Sequence, residues 1–266
     1  MKKKIALYCV TYNSYECLSV FFNSLRKSYE RIKEELDLEV FIADNTLHPL
    51  PIETDGFPYH IIVEQMHENL GYFGAIRRLM QLHPASGYDY VIISNVDLMM
   101  QEDTLSTLVR FPCEENIGWI APQIYSELEQ RDRNPKILHR YPVKKLKLLR
   151  LFFRFPLLYI LYTKTLYRQK KYHSYKAGEI YAGHGSFIIL TRQYLDKAGI
   201  IDYPVFLFAE EIYLAEQCRS YNLKVVYNPA IKVVDSEHVS TGKMRKDFYY
   251  KCNYEAITYI LKTFYS

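Results

Sequence analysis

The sequence predicts an α/β fold: a mostly parallel central sheet with helices on both faces, plus a basic amphipathic helical insert. Three observations predict it. Short β-branched runs alternate with stretches of helical period between Ile5 and Ala121, the order that builds right-handed β-α-β units. Three of those runs stop on polar residues: Thr11 with Asn13, Asp44 with Asn45, and Asn95 with Asp97. Parallel strands bring such ends to one edge, where open sheets bind ligands.

The elements follow in order. Ile5–Val10 reads as the first strand. Asn13 or Ser14 caps a helix whose apolar positions Leu18, Phe21, Phe22, Leu25, Tyr29, Ile32 and Leu36 keep a period of about 3.6. Leu38–Ala43 and Ile61–Val63 are the next strands. Asn69-Leu70-Gly71-Tyr72-Phe73-Gly74 then opens a helix through about Leu82. Glycines before a helix let backbone approach a ligand, and helix N-termini favour anions. Arg77 and Arg78 lie one turn further on and face either a diphosphate or solvent. Tyr90–Ser94 is a buried strand leading to Asp97. That carboxylate either caps a helix beginning near Glu102 or holds Mg²⁺ or Mn²⁺, which in turn suits phosphate oxygens. Ile117–Ala121 is a further strand.

Composition narrows the class. The 266 residues are 49% apolar and 24% charged, which excludes a disordered chain. The five cysteines show no metal spacing and cannot all pair, as expected of free thiols in a reducing compartment. Met1-Lys2-Lys3-Lys4 runs straight into a strand, so no signal peptide is expected, and no apolar run reaches the ~18 residues of a membrane span.

One stretch differs from the rest. From Asn134 to Gly178 there is no Asp or Glu. Residues 140–176 hold eleven basic side chains: Arg140, Lys144, Lys145, Lys147, Arg150, Arg154, Lys164, Arg168, Lys170, Lys171 and Lys176. The chain is +4 overall, so setting these eleven aside leaves −7 for the remainder. They surround apolar runs at Leu148–Phe155 and Leu157–Tyr162. Such a segment fits an anionic membrane interface through residues 143–172, or a packed insert or subunit contact with a solvated basic face. Nucleic-acid binding is disfavoured by the leucine content and the lack of a recognised module. The expected location is cytoplasmic, peripheral on the inner face of the cell membrane.

The last third returns to sheet. Tyr181-Ala182-Gly183-His184-Gly185-Ser186 bends into a strand at Phe187–Leu190. Phe206-Leu207-Phe208-Ala209 leads to Glu210-Glu211 and a helix through about Tyr221. Two acids there either complement the helix dipole or supply one general base; adjacent residues do not share a face, so at most one does chemistry. Leu223–Tyr227 is a strand. Asp235, Glu237 and His238 precede Ser240-Thr241-Gly242, as a surface loop or part of a metal site. A last helix, about Arg245 to Phe264, puts Phe248, Cys252, Ala256, Tyr259 and Ile260 on one stripe, fit for a core or a partner.

At these residues the chain resembles the family 2 glycosyltransferases of GT-A, Rossmann-like type, especially rhamnosyltransferase-like members that build bacterial surface polysaccharides. Six segments carry the resemblance in order over residues 5–121 and 180–242. Val10-Thr11-Tyr12-Asn13-Ser14 resembles the opening strand end, and Asp44-Asn45 the acidic nucleotide-base contact. Glu68-Asn69-Leu70-Gly71-Tyr72-Phe73-Gly74 resembles the Asn-x-Gly loop. Ser94-Asn95-Val96-Asp97 resembles the Asn-Pro-Asp form of the metal motif. Gly183-His184-Gly185-Ser186 is similar to the acceptor-side segment, and Phe206–Glu211 to the Glu-Asp motif whose second acid is the base.

The resemblance implies a single domain over 1–266, with a nucleotide-sugar-binding half (1–122), the basic insert (135–178), an acceptor and catalytic half (179–242) and a C-terminal helix (243–266). It implies inverting, metal-dependent transfer of a hexosyl or deoxyhexosyl unit from a nucleotide-diphosphate sugar to a glycan or lipid-linked acceptor. Thr11, Asn13, Asp44, Asn69, Gly71, Gly74, Arg77 and Asn95 would contact the donor. Gly183, His184 and Gly185 would face the acceptor. Asp97, with Asp235 or His238, would hold Mg²⁺ or Mn²⁺, and Glu211, next to Glu210, would be the base. The departures are Val96 for the motif proline, Arg77 for an asparagine, Glu211 for an aspartate, and Asp235 where the late metal histidine aligns. These leave open a catalytically silent binding or scaffold protein. A sugar nucleotidyltransferase fits less well, because Thr11-Tyr12-Asn13-Ser14 has neither glycine nor lysine.

Overall fold

Alternation along the strands decides the architecture. Ala6 and Tyr8 pack into one apolar cluster with Phe41, Ala43, Val91 and Ile93. Their neighbours Ile5, Leu7 and Cys9 enter a second with Val40, Ile42 and Ile92. Strand side chains point to opposite faces with a period of 2, so these are the two sides of one sheet. The computed structural model describes residues 2–165, 174–236 and 245–265.

The elements in chain order are β1 (Lys3–Thr11), α1 (Tyr15–Glu30), β2 (Leu36–Asp44), β3 (His60–Gln65), α2 (Tyr72–Leu82), β4 (Tyr90–Asn95), β5 (Leu98–Met100), α3 (Thr104–Val109), β6 (Ile117–Ser126), β7 (Arg131–Asp132), α4 (Val143–Arg154), α5 (Pro156–Thr165), β8 (Gly178–Ile180), β9 (Phe187–Thr191), α6 (Arg192–Ala198), α7 (Glu210–Ser220), β10 (Lys224–Asp235) and α8 (Lys246–Phe264). The sheet order is β3-β2-β1-β4-β9-β6-β10-β5, with β7 on β6 and β8 on β10. The pairs β3–β2, β2–β1, β1–β4 and β6–β10 are parallel, while β9 runs antiparallel to both β4 and β6. α1 and α3 cover one face through Leu18, Phe21, Leu25, Leu105 and Leu108. α2, α6, α7 and α8 cover the other through Phe73, Ile76, Tyr194, Tyr213, Ile257 and Ile260.

The mostly parallel sheet with helices on both faces is as the sequence predicts; several boundaries are not. The first helix stops at Glu30, short of Ile32 and Leu36, because Leu36 is claimed by the sheet, where it pairs with Lys3. Ser14 sits at its N-cap position, but its hydroxyl donates to the Tyr12 carbonyl instead of capping. β6 and β10 run well past Ala121 and Tyr227. Pro122 and Pro229 both sit at one register shift, where Asn228 faces Pro122 and Lys232 faces Gln123. An irregularity of this kind is where a sheet tolerates proline. β5 separates Asp97 from α3, so Asp97 is not the cap of that helix; Asp103 takes the N-cap position, without a side-chain capping bond. On the final helix, Cys252, Ala256 and Ile260 are buried, while Phe248 at the start of the stripe is exposed.

The basic segment holds two helices that break at Phe155-Pro156. α4 turns Leu146, Leu149 and Phe153 to the core and packs on α8. It is anchored beside Arg140, whose Nε and Nη2 donate to Glu216 Oε1 and Oε2 at 2.7 and 3.0 Å. Tyr181 and Tyr265 hydroxyls donate to the same Oε1 at 2.6 and 3.0 Å. Burial works to raise the Glu216 pKa, but these donors outweigh it and hold the carboxyl below its usual value. Residues 166–172, the end of the expected membrane segment, lie outside the described residues.

One glycine joins the two halves of the sheet. Gly71 has φ +73°, and a Cβ there would fall 2.0 Å from the carbonyl oxygen of Phe206. The loop before α2 thus lies directly on the 204–209 segment. Gly71→Ala is expected to cost about 2–5 kcal/mol, a positive-φ penalty plus overpacking. Gly56 also has positive φ but nothing within 4 Å of a Cβ, so Gly56→Ala should cost only about 1–2 kcal/mol. Denaturant unfolding of the two variants measures the difference, and equal costs would remove the close approach as its cause.

Candidate functional site

Loops at the C-terminal edge of the sheet meet through a run of hydrogen bonds. The Asn45 N–H donates to the Thr11 carbonyl at 2.9 Å, closing the ends of β1 and β2. Asn45 Nδ2 donates to the Gly71 carbonyl at 3.0 Å, and the Gly71 N–H to Asn69 Oδ1 at 3.0 Å. The next residue, Tyr72, donates its hydroxyl to the Gly185 carbonyl at 3.0 Å. The Gly185 N–H donates to Glu211 Oε1 at 3.3 Å. The Asn95 N–H donates to the Ser186 carbonyl at 3.0 Å, fixing the 183–186 bend beside the end of β4.

Burial differs sharply around this edge. Thr11 Oγ1 and Asn45 Oδ1 are buried with no hydrogen-bond partner. Buried polar atoms are nearly always paired, so these two point to a polar ligand at the strand ends. Asp44 is fully buried and already engaged: Oδ1 accepts from the Thr46 N–H at 3.0 Å and Oδ2 from the Tyr15 hydroxyl at 2.7 Å. In this arrangement Asp44 organises the loop instead of presenting a free edge. Asn13, at φ +54°, is exposed and donates its N–H to Thr46 Oγ1.

The two adjacent acids have different surroundings. Phe208 and Ala209 take φ of +76° and +60°, values that cost non-glycine residues strain. Glu210 stabilises that turn, since its Oε1 accepts from the Phe208 N–H at 2.9 Å, and the Tyr203 hydroxyl donates to the Phe208 carbonyl at 2.6 Å. Burial, then the neighbouring charge of Glu211, pushes Glu210 up to about 8. Glu211 instead reaches Gly185, where a Cβ would stand 3.3 Å from its Oε1. Burial first, then the neighbouring Cys9, Glu210, Asp97 and Glu211, raise the Tyr72 pKa well above the usual tyrosine value.

The oxygen-donor positions lie at the other end of the same edge. Asp97 immediately precedes Leu98, which pairs across the sheet with Asp235. Carboxylate oxygens suit Mg²⁺ or Mn²⁺, and Mg²⁺ commonly takes only one or two of them beside substrate phosphates. Asp97 fits that pattern. Asp235 is not on a surface loop: it ends β10, is 4% exposed, and its Oδ2 accepts from Arg133 Nη1 at 2.6 Å. Among the described residues no three His, Cys, Asp or Glu side chains gather as a metal cluster. His238, Glu237 and the Ser240–Gly242 turn lie outside the described residues.

At the 183–186 bend, a Cβ on Gly183 would fall 2.6 Å from that of Ala121, which explains the small residue. His184 donates its N–H to Asn134 Oδ1 at 2.7 Å, and its Nδ1 accepts from the Ser186 N–H at 3.2 Å, leaving the proton on Nε2. Burial, then Lys136 and Arg133, lowers its pKa well below the usual value, so the ring is neutral. Gly74 and Arg77 stand apart. They line a cavity of about 390 Å³ with Glu68, Arg78, Tyr203 and Phe206, and none of Thr11, Asn13, Asp44 or Asp97 lines it. Arg77 pairs there with Asp202 at 3.1 Å. Tyr15, Tyr72, Thr46, Arg133 and Asn134 were not among the residues singled out in the sequence, where nothing in their local pattern marks them.

Residues 8–197 match the profile of Glycosyl transferase family 2. No curated protein matches the chain. Among solved structures, the chain is similar to a mannosyltransferase, PcManGT from Pyrobaculum calidifontis in complex with GDP-Man and Mn²⁺, at 13% identity and TM-score 0.52, covering 99% of this chain and 73% of that one. It is similar to S. aureus TarS at 14% identity and TM-score 0.55, covering 98% and 39%. It is also similar to GalNAc-T7 with UDP, GalNAc and Mn²⁺, at 10% identity and TM-score 0.61, covering 97% and 48%. The chain therefore spans less than half the length of the last two. At these identities the likeness establishes the fold, that of the GT-A glycosyltransferases.

The position of Glu210 predicts a pH dependence. Its folded pKa is raised from 4.5 to about 8, so the folded state binds the extra proton in between. Its contribution to stability is full below about pH 4.5 and is lost as pH rises through about 8. Glu210→Gln keeps the acceptor for the Phe208 N–H without the charge. Its melting temperature relative to wild type should therefore rise between pH 5 and pH 9, by on the order of 10 °C. A difference that stays constant over that range would remove the raised pKa.

Proposed function

The chain belongs to glycosyl transferase family 2, and on that premise we propose that it transfers a hexosyl or deoxyhexosyl unit from a nucleotide-diphosphate sugar to a glycan or lipid-linked acceptor, in bacterial polysaccharide synthesis, with inversion. The observation that carries this reading is the placement of Glu211. Its carboxylate accepts from the Gly185 N–H at 3.3 Å, on the same edge as the unpartnered Thr11 and Asn45 oxygens.

The nucleoside seats over Thr11, Asn13 and Asn45, with Asp44 shaping the loop beneath it. Glu211 accepts the proton of an acceptor hydroxyl as that oxygen attacks the anomeric carbon, on the face opposite the departing diphosphate. Glu210 stays protonated near neutral pH and holds the turn that aims Glu211. Gly183, His184 and Gly185 line the approach of the acceptor. Asp97, with Asp235 or His238, would hold Mg²⁺ or Mn²⁺, which supplies Lewis-acid neutralisation of the leaving group. No helix among the described residues is long and apolar enough to cross a membrane; the contact with the inner face of the membrane is peripheral, through residues 143–172.

Thermal unfolding with UDP, dTDP, GDP and CDP, each with and without Mn²⁺, tests the donor side. A nucleotide at 100 times its Kd adds about 2.7 kcal/mol, a shift on the order of 5–10 °C. One nucleotide is expected to shift the wild type in a Mn²⁺-dependent way, and Asp97→Ala is expected to lose that shift. Glu211→Gln should keep the shift while donor turnover falls roughly 10²–10⁴-fold. Full turnover in Glu211→Gln would reject the base, and a Mn²⁺-dependent shift surviving in Asp97→Ala would reject the metal ligand. Nucleotide binding without turnover in the wild type would identify a silent binding protein.

A further inference from the structure

The helices of the basic segment leave a large apolar face uncovered. Leu148 is 46% exposed, Leu151 44%, Phe155 52%, Leu157 81% and Leu158 44%. Five such residues within eleven positions exceed the scattered leucines of an ordinary surface. Exposed Lys144, Lys147, Arg154 and Lys164 flank them, and no acidic residue between 134 and 178 balances that charge.

Behind this face lies an aromatic cluster. Phe153 packs against Tyr159 and Tyr249 at 5.9 and 6.3 Å between centroids, and Tyr250 against Tyr159 and Tyr249 at 6.0 and 5.5 Å. The cluster reaches the catalytic turn: Tyr249 meets Phe208 at 5.2 Å, and Phe248 meets Phe206 at 5.7 Å. Tyrosines suit a boundary between apolar and wet surroundings.

We propose that the outer face of α4 and α5 is a docking surface for an anionic lipid bilayer, and that the aromatic cluster holds the Phe206–Glu211 turn at that surface. The inference rests on the peripheral contact in the proposed function and names its surface and its lipid. Charge complementarity selects the occupant. Two copies meeting here would oppose two acid-free cationic faces, whereas anionic headgroups neutralise the lysines while the leucines enter the acyl boundary.

Flotation of the full chain with phosphatidylcholine vesicles, and with vesicles containing about 30% phosphatidylglycerol, tests it; the added charge is what basic segments respond to. Wild type is expected to float only with the anionic vesicles and to be released by high salt. Lys144→Gln, Lys147→Gln and Lys164→Gln together should weaken partitioning about a hundredfold, about fivefold each. Leu148→Gln, Leu151→Gln and Leu157→Gln together should abolish flotation with the lysines intact. Each of these side chains is exposed, and nucleotide-dependent thermal stabilisation of every variant should match wild type. No flotation of wild type, equal flotation on neutral vesicles, or normal flotation of the leucine variant would overturn the proposal. So would a wild-type dimer, seen by sedimentation, that the leucine variant converts to monomer without any vesicle binding in wild type. Flotation without nucleotide stabilisation would instead count against the transferase reading and leave the surface standing.

Discussion

The contact between Gly71 and the Phe206 carbonyl is the constraint on which the site depends. It is a backbone-to-backbone approach that no side chain permits, since even a methyl group would fall 2.0 Å from the oxygen. Because the loop lies that close, Tyr72 reaches the Gly185 carbonyl and the Gly185 N–H reaches Glu211. Asn45 ties the same loop back to β1 and β2. The strand ends of one half of the chain and the Phe206–Glu211 turn of the other are thereby a single hydrogen-bonded path, in which the side chains of Asn45, Tyr72 and Glu211 each meet a main-chain partner. Ordering those side chains costs rotamer entropy that the close packing of the loop has to offset.

The two acids at the head of α7 show how environment separates chemically identical groups. Glu210 is spent locally, holding a turn in which two consecutive non-glycine residues sit at positive φ. Burial keeps its proton on, so one buried carboxyl brings no second negative charge next to Glu211. Strained backbone of this sort persists where surrounding structure over-determines it. Here the Tyr203 bond to the Phe208 carbonyl and the ring of Phe208 against Tyr249 supply that support.

Much of the sheet was legible because the strands carry apolar runs and the helices between them keep their period. The reversal of β9 was not. A strand buried on both faces, such as Phe187–Thr191, reads the same in either direction, and only its partners reveal that it lies between β4 and β6. The extents of β6 and β10 were hidden by Pro122 and Pro229, whose breaking signal is cancelled when both meet at one irregularity. For the same reason Asp235 read as part of a loop with His238. The six motif segments were visible as residue types. That Asp44 is sealed beneath Tyr15 and Thr46, or that Arg77 turns toward Asp202, depends on contacts 29 and 125 positions away in the chain. Tyr72 carries no signal of its own; its place follows from the glycine before it.

The net charge of +4 conceals a separation that matters more than the sum. The strand-end edge carries Asp44, Asp97, Glu211 and Asp235, and Arg133 beside it is engaged with Asp235. Under the proposed function a nucleotide diphosphate arriving there would meet, among the described residues, carboxylates more than free basic groups. Neutralising charge would then come with the donor as a divalent cation, and Asp97 would be the oxygen ligand at the strand end. The exposed positive side chains of α4 and α5 stand on helices that reach the Phe206–Glu211 turn through the rings of Phe153, Tyr249 and Phe208, so under the proposal for those helices their charge acts on the surface that the outer face meets.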